Sequence, residues 1–321
     1  MSTDTTTPGT PVLPEVKMNA VKPTAPVIGR VVSNELCTAG RKSAGFVRHI
    51  SIDVSGTPLA GNCRVGQAFG VVPPGEDRNS KPHKPRLYSL ASPTAGEDGE
   101  GNVISTTCKR AVDEHWETGK LFLGVASNYI CDLAPGDEVR VCGPNGKRFL
   151  LPDDPDQHEY IFFATGTGIA PFRGMVQDLI AAGVTGRITL IMGTPYATDL
   201  LYHSMFLDME QKHENFTYLT AVSREKQDDG HSKLYVQDRL DTHAEQLLPQ
   251  LRSEKNLIYI CGIAGMELGI FKQLAKILRG SELEQYLVCE PEALADIDNW
   301  DRKMLHKQVK PTKRMLLEVY A

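Results

Sequence analysis

The 321-residue sequence contains no Cys-x-x-Cys pair, and its seven cysteines, at positions 37, 63, 108, 131, 142, 261 and 289, are scattered and odd in number. That spacing argues against a thiolate zinc site and against a protein-held iron–sulfur cluster, so no metal centre is expected and the thiols read as kept reduced. There is no apolar run approaching the roughly 20 residues a membrane helix needs, and no basic start followed by an apolar signal core. A soluble protein is expected. An excess of positive charge is also missing: Lys and Arg total 35 against 40 Asp and Glu, a formal net charge of −5. Nucleic-acid binding by bulk phosphate neutralisation is therefore not expected, although a local basic patch can still serve a protein partner. Aromatic residues are sparse at 7%, yet a hydrophobic content of 41% over this length suffices for two cores.

Residues 1–27 are rich in Thr and Pro with little to bury, and read as a flexible tail. A transit peptide is the alternative; Asp4, Glu15 and the lack of early arginines weigh against it. Residues 28–152 break into short β-rich runs at 28–32, 46–54, 68–72, 86–91, 103–109, 120–125 and 138–142, separated by Gly, Pro and Asp. That rhythm predicts an antiparallel barrel. Residues 153–321 alternate strand with helix: strands at 160–164, 187–192, 216–222 and 257–261, helices near 171–182, 199–212, 234–247 and 266–278, and a last strand at 315–320. Such alternation predicts a parallel sheet covered by helices, with ligands beyond the carboxyl ends of its strands.

One of those ends carries Ala164-Thr165-Gly166-Thr167-Gly168-Ile169-Ala170-Pro171-Phe172-Arg173. A buried strand, a glycine turn and a helix start let backbone N–H groups approach a pyrophosphate closely, which makes this a dinucleotide site candidate. Pro171 replaces the third glycine of the common fingerprint, so the match is to a variant turn. In the barrel half, Arg86 and Tyr88 of Arg86-Leu87-Tyr88-Ser89 share one strand face, suited to a phosphate and a planar ligand, and Ser89 faces the other way. Downstream, Gly124-Val125-Ala126-Ser127-Asn128 offers N–H donors to the same phosphates.

These pieces, in this order and joined by Lys81-Pro82-His83-Lys84-Pro85, Ser223-Arg224-Glu225, Tyr259-Ile260-Cys261-Gly262 and Glu318-Val319-Tyr320, resemble the plant-type ferredoxin–NADP reductase family from about residue 27 to the C-terminus. The resemblance implies an FAD-binding antiparallel β-barrel over 28–152, then an α/β NADP-binding domain over 153–321 whose C-terminal strand returns to the flavin. By it, Arg86 and Ser127, with Gly124 and Val125, would hold the FAD pyrophosphate, and Tyr88 and Tyr320 would sandwich the isoalloxazine. Ser89 would lie near its reactive nitrogen, and Lys109 would reach the cofactor phosphates. Thr165, Gly166, Thr167 and Gly168 would take the NADP pyrophosphate, while Cys261 and Glu318 would border the nicotinamide. Ser223, Arg224, Lys233 and Tyr235, with Gln237, would read the adenosine 2′-phosphate end. Two cations and two hydroxyls suit a phosphate there, where NAD selection calls for a carboxylate.

The sequence departs from the family at several points. Asp113 stands where an aromatic ring covers the FAD adenine, with Trp116 as a compensating ring; Thr107 and Ala126 stand at common cysteine positions; Pro85 replaces an apolar residue; Ala321 follows the usually terminal tyrosine; and residues 281–310 are longer than expected. The implied partner is ferredoxin or flavodoxin, met by Lys81 and Lys84 and by Arg302, Lys303, Lys307, Lys310, Lys313 and Arg314. The activity expected is electron transfer between NADP(H) and that partner in a cytoplasmic, most simply bacterial, setting, plastid stroma being the alternative. The reductase component of an oxygenase system and a non-catalytic flavin-binding subunit remain open as alternatives.

Overall fold

The computed structural model describes residues 9–38, 42–227 and 229–320. The first eight residues of the expected tail and Ala321 lie outside them. The chain divides into two compact units, one of Glu15–Leu151 with Ile169–Asp178 and the other of residues 9–14, Pro152–Gly168 and residues 179–320.

In the first unit, β1 (Val27–Leu36), β2 (Val47–Asp53), β3 (Ala68–Val71), β4 (Arg86–Ser89), β5 (Val103–Lys109) and β8 (Glu138–Asn145) form an antiparallel sheet in the order β4-β3-β8-β1-β2-β5. The two outer strands meet through a Leu90–Thr106 bridge, where Thr106 Oγ1 donates to the Ser89 carbonyl at 2.8 Å and Ala91 N to the Ser105 carbonyl at 2.8 Å. Closure removes the exposed edges an open sheet would keep. Ile50, Ile52, Phe69, Val71, Val139 and Val141 fill the interior. Between β5 and β8 stand the hairpin β6 (Val112–Glu114) and β7 (Leu121–Leu123) and the helix α1 (Val125–Asp132). The strand expected at 120–125 is thus only three residues long, because Gly124 caps α1.

Two expectations are corrected here. Residues of the expected flexible tail are fixed in place: Val21 is buried at 4% exposure and pairs with Gly143, and Gln67 Nε2 donates to the Lys17 carbonyl at 3.0 Å. One apolar anchor and backbone partners outweigh the Thr/Pro composition. Helix α2 (Ile169–Ala181) was expected wholly within the nucleotide domain, yet its first ten residues cluster with the barrel unit. Gly174 lies so close to the Ser92 carbonyl that a Cβ would stand 2.3 Å from it, and Arg173 ion-pairs with Glu97 at 2.6 Å. Burial pushes the Glu97 carboxyl up, but hydrogen bonds from His49, Arg173 and Ser105 overcome this and hold it down at about 2.

The second unit is a parallel sheet of β9 (Glu159–Thr165), β10 (Ile188–Thr194), β11 (Phe216–Val222), β12 (Asn256–Ile263) and β15 (Met315–Tyr320), ordered β11-β10-β9-β12-β15. The chain runs from β9 outward to β11, then returns to place β12 on the other side of β9. The crevice between the carboxyl ends of β9 and β12 is therefore a topological switch point, where ligands bind in sheets of this kind. Side-chain alternation buries both faces: Ile161, Phe163, Ile258 and Ile260 pack with Ile270, Phe271 and Leu274 of α6 (Met266–Ile277). Tyr160, Phe162 and Tyr259, at the alternate positions, cluster with ring centroids 5.4–6.3 Å apart.

Helix α3 (His203–Lys212) follows β10, but the single helix expected over 234–247 is interrupted. It consists of a 3-10 turn, α4 (Arg239–Thr242) and α5 (Ala244–Leu251), because His243 at φ −123° and ψ 34° leaves the helical path. The long stretch 281–310 folds as α7 (Ser281–Glu284), β13 (Leu287–Cys289), α8 (Pro291–Ala295) and β14 (Val309–Pro311). Strands β13 and β14 pair antiparallel, and Trp300, 2% exposed, donates its indole N–H to the Ala293 carbonyl at 2.8 Å.

Candidate functional site

At the switch point the turn Gly166-Thr167-Gly168 joins β9 to α2. Gly166 has φ +53°, and a Cβ on Gly168 would stand 2.2 Å from the Cys261 carbonyl oxygen, so the turn closes on the end of β12 only because that side chain is absent. Gly262 (φ +149°) faces the same constraint from β12: a Cβ there would meet Thr165 Oγ1 at 2.1 Å. Thr165 Oγ1 accepts the Ile263 N–H at 3.0 Å, which fixes the two strand ends against each other.

Register then brings distant residues together. Cys261 pairs with Ala164 on one side and Glu318 on the other, and Tyr320 pairs with Ile263. The Tyr320 and Thr167 hydroxyls share a hydrogen bond at 2.7 Å across 153 residues of sequence. Cys261 is fully buried, and burial with the neighbouring Glu318 carboxyl pushes its thiol well up, so it is a neutral, compact group at the strand end. Burial pushes the Glu318 carboxyl up to about 7, and its Oε2 is buried without a hydrogen-bond partner among the described residues. A carboxyl in that state can hold or release a proton near neutral pH.

At the next pair of strand ends, Ser223 N donates to the Thr194 carbonyl at 2.9 Å and Arg224 N to the Pro195 carbonyl at 3.0 Å. The Arg224 guanidinium lies 5.7 Å from the centre of the Tyr196 ring. Leu234 N donates to the Val222 carbonyl at 3.0 Å, which closes the intervening loop and sets Lys233 beside the Ser223 segment. Arg224, Lys233 and Tyr235 are exposed, and Gln237 packs on Gly269 of α6, where a Cβ would be 3.1 Å from its amide carbon. Three supports of this loop escaped the sequence reading. Buried Gln227 exchanges hydrogen bonds with both backbone groups of Val222 at 2.6 and 2.9 Å, and buried Arg239 donates to the Thr220 carbonyl at 2.7 Å and ion-pairs with Asp229. No motif marks them, since their role depends on a fold that returns residue 239 to β11.

In the barrel unit, β4 pairs with β3, setting Arg86 opposite Val71, Tyr88 opposite Phe69 and Ser89 opposite Ala68. Arg86 is exposed and Tyr88 packs on the barrel core, where burial pushes its phenol up. Lys109 ends β5 exposed, its stem lying where a Cβ on Gly45 would come 2.5 Å from Cε. At α1, Ser127 Oγ accepts the Ala111 N–H at 3.1 Å and donates to the Gly124 carbonyl at 3.3 Å. Gly124 caps the helix without a side-chain hydrogen bond, so the first-turn N–H groups of Val125, Ala126 and Ser127 are available to an anion, and a Cβ on Gly124 would collide with Ser127 Oγ at 2.6 Å. Beside it the β6–β7 hairpin exposes Trp116 at 87%, and Phe122, paired with Asp113, at 63%. A helix start with first-turn N–H groups free of a side-chain cap, next to exposed aromatic and apolar side chains, is chemically compatible with a dinucleotide that carries a flat base.

Of the basic residues singled out, Lys81, Lys84, Arg302, Lys303, Lys307, Lys310 and Lys313 are exposed. Arg314 is corrected: it is buried at 6% and its guanidinium donates to Gln285 Oε1 at 2.7 Å, because Gln285 provides a partner inside the unit. Among the described residues there is no cluster of His, Cys, Asp and Glu that could hold a metal ion, and no helix is long and apolar enough to cross a membrane.

Residues 162–272 match the oxidoreductase NAD-binding domain model. The chain is 39% identical over 263 residues to a ferredoxin–NADP reductase of Spirulina sp, covering 80% of this chain and 88% of that one. It is 36% identical over 312 residues to the chloroplastic leaf isozyme 1 of ferredoxin–NADP reductase of Arabidopsis thaliana, covering 95% of this chain and 80% of that one. The fold is similar to that of the ferredoxin–NADP+ reductase structure from Plasmodium falciparum, with a TM-score of 0.69 at 24% identity over 94% of this chain and 99% of that one. The chain belongs to the plant-type ferredoxin–NADP reductase family.

Proposed function

We propose that this protein is an FAD-dependent oxidoreductase that passes electrons between NADP(H) and a ferredoxin- or flavodoxin-type carrier. The observation that carries the reading is the convergence of Thr165–Gly168, Cys261, Glu318 and Tyr320 on the switch point of the parallel sheet. FAD, when bound, supplies the exchange between a two-electron hydride donor and a one-electron carrier.

The residues divide the remaining work. The first-turn N–H groups of α1 and the Arg86 and Lys109 cations bind the FAD pyrophosphate, Tyr88 offers its ring to the flavin, and Ser89 lies one residue further along β4. The Gly166–Gly168 turn receives the NADP pyrophosphate through backbone N–H groups. Ser223, Arg224 and Lys233 grip the 2′-phosphate, Tyr235 stacks on the adenine and Gln237 backs that platform against α6. Cys261, small and uncharged, lets the nicotinamide come close, and Glu318 holds a proton at a carboxyl poised near neutrality. Tyr320 adds an aromatic face, held through its hydroxyl by Thr167. Lys81 and Lys84, with the exposed lysines of the last stretch, steer an acidic carrier.

The test is a visible spectrum of the purified protein, followed by anaerobic addition of NADPH or NADH and then ferredoxin. A flavin spectrum bleached faster by NADPH, with electrons passing on to ferredoxin, is expected. A protein that binds no added FAD, or whose flavin neither nucleotide reduces, overturns the reading. Reduction by NADPH without transfer to ferredoxin or flavodoxin would favour an oxygenase reductase.

A further inference from the structure

The seven cysteines look unrelated in sequence, but folding brings two of them into contact. Cys108, the penultimate residue of β5, and Cys131, in the last turn of α1, have their sulfur atoms 3.8 Å apart. Both are buried, at 2% and 4% exposure, and both are free thiols. Their surroundings are unequal. The Cys131 thiol donates to the Cys108 sulfur, and the hydrogen bond between the two sulfurs and the guanidinium groups of Arg110 and Arg48 hold the Cys131 thiol below the usual range against its burial. The hydrogen bond to Cys131 and burial push Cys108 up, and the Tyr88 hydroxyl interacts with its sulfur from the other side. Arg110 is itself tied to α1 through Asn128 at 3.0 Å and Asp132 at 2.6 Å, so the cation stays beside the pair. The cation anchored at Asp132, the residue after Cys131, favours Cys131 as the attacking thiolate and leaves Cys108, in contact with it, as the resolving thiol.

We propose that Cys108 and Cys131 form a reversible oxidation site, taken to a disulfide by a peroxide-class oxidant, that staples β5 to α1. The Cys131 thiolate attacks one oxygen of hydrogen peroxide; the O–O bond breaks, the departing oxygen leaves as water after taking up a proton, and Cys131 becomes a sulfenic acid. The Cys108 sulfur then attacks the Cys131 sulfur, the S–O bond breaks, and a second water carries away the Cys108 proton. Two electrons have passed from the two sulfurs to the peroxide, and a dithiol reductant returns them. Side-chain rotation must bring the sulfurs from 3.8 Å to a bonded separation of about 2 Å, and local opening of the last turn of α1 admits the oxidant. The staple would join the strand bearing Lys109 to the helix bearing Ser127. The site does not depend on the proposed activity.

The experiment treats the whole protein with hydrogen peroxide, blocks remaining thiols with an alkylating agent under denaturing conditions, and maps the digest by mass spectrometry. The expected product is one peptide pair joined through residues 108 and 131, lighter by two hydrogens than the sum of its reduced parts and lost on treatment with dithiothreitol. The Cys131→Ser protein should give no such pair and a fully alkylated Cys108. Peroxide-treated wild-type protein in which both thiols remain alkylatable, or in which Cys108 joins a different cysteine, overturns the proposal. That map needs only the unsubstituted protein, so a poorly folding variant does not spoil the test.

Discussion

Replacing Glu318 by Gln removes a proton-binding group that the folded chain holds more tightly than the unfolded one. Burial raises the carboxyl from 4.5 to about 7. Between those two values the folded state therefore binds more protons than the unfolded state, and stability falls as pH rises, levelling off above the folded value. The full span corresponds to about 3 kcal/mol at about 1.4 kcal/mol per pH unit. From pH 5.5 to 8.5 only the upper part remains, and because the carboxyl is partly exposed we take about 1–2 kcal/mol. Gln cannot titrate. Urea unfolding of both proteins at the two pH values should show the wild type losing that much more stability than Glu318→Gln on going from pH 5.5 to 8.5. Parallel pH dependence in the two proteins would falsify the assignment of a raised carboxyl at this position, and with it the proton-holding role beside Cys261.

Three other outcomes follow from the same geometry. Gly168→Ala puts a methyl group 2.2 Å from the Cys261 carbonyl oxygen and forces the turn off the end of β12; a cost of about 1–3 kcal/mol is expected, and an unchanged Tm would contradict the close approach. Replacing Arg224 and Lys233 together by neutral residues should lower the NADPH-over-NADH preference in kcat/KM by about tenfold or more, and an unaltered ratio removes them from the 2′-phosphate site. Exchanging Lys81 and Lys84 for Glu should slow ferredoxin reduction while sparing a small dye acceptor, most visibly at low ionic strength; equal slowing of both acceptors excludes a docking role.

Where one period dominated, the sequence was easy to read. The runs at 103–109, 216–222 and 315–320 coincide with β5, β11 and β15, since a buried strand needs alternate or continuous apolar residues whatever surrounds it. Local pattern failed where a distant partner intervened. The tail at Val21 is held by Gly143, Arg314 is drawn inward by Gln285, and the stretch after Leu234 is broken by an Asp238 cap on Tyr235 and by His243. Among candidate site residues, the glycine turn was visible because its spacing is local, whereas Gln227, Asp229 and Arg239 were not.

By itself the sequence determined the two kinds of layer, the turn that approaches β12, and the residue types gathered for a nucleotide, because propensity, period and glycine geometry act over a few residues. Only the tertiary structure decided which of those residues meet. Parallel pairing of β12 with β9 and β15 set Cys261 between Ala164 and Glu318 and gave Thr167 the Tyr320 hydroxyl. Packing of α1 near β5 turned two unremarkable cysteines into neighbours 3.8 Å apart. Register and packing are long-range choices, fixed by the burial of whole faces, and no local stretch of chain encodes them alone.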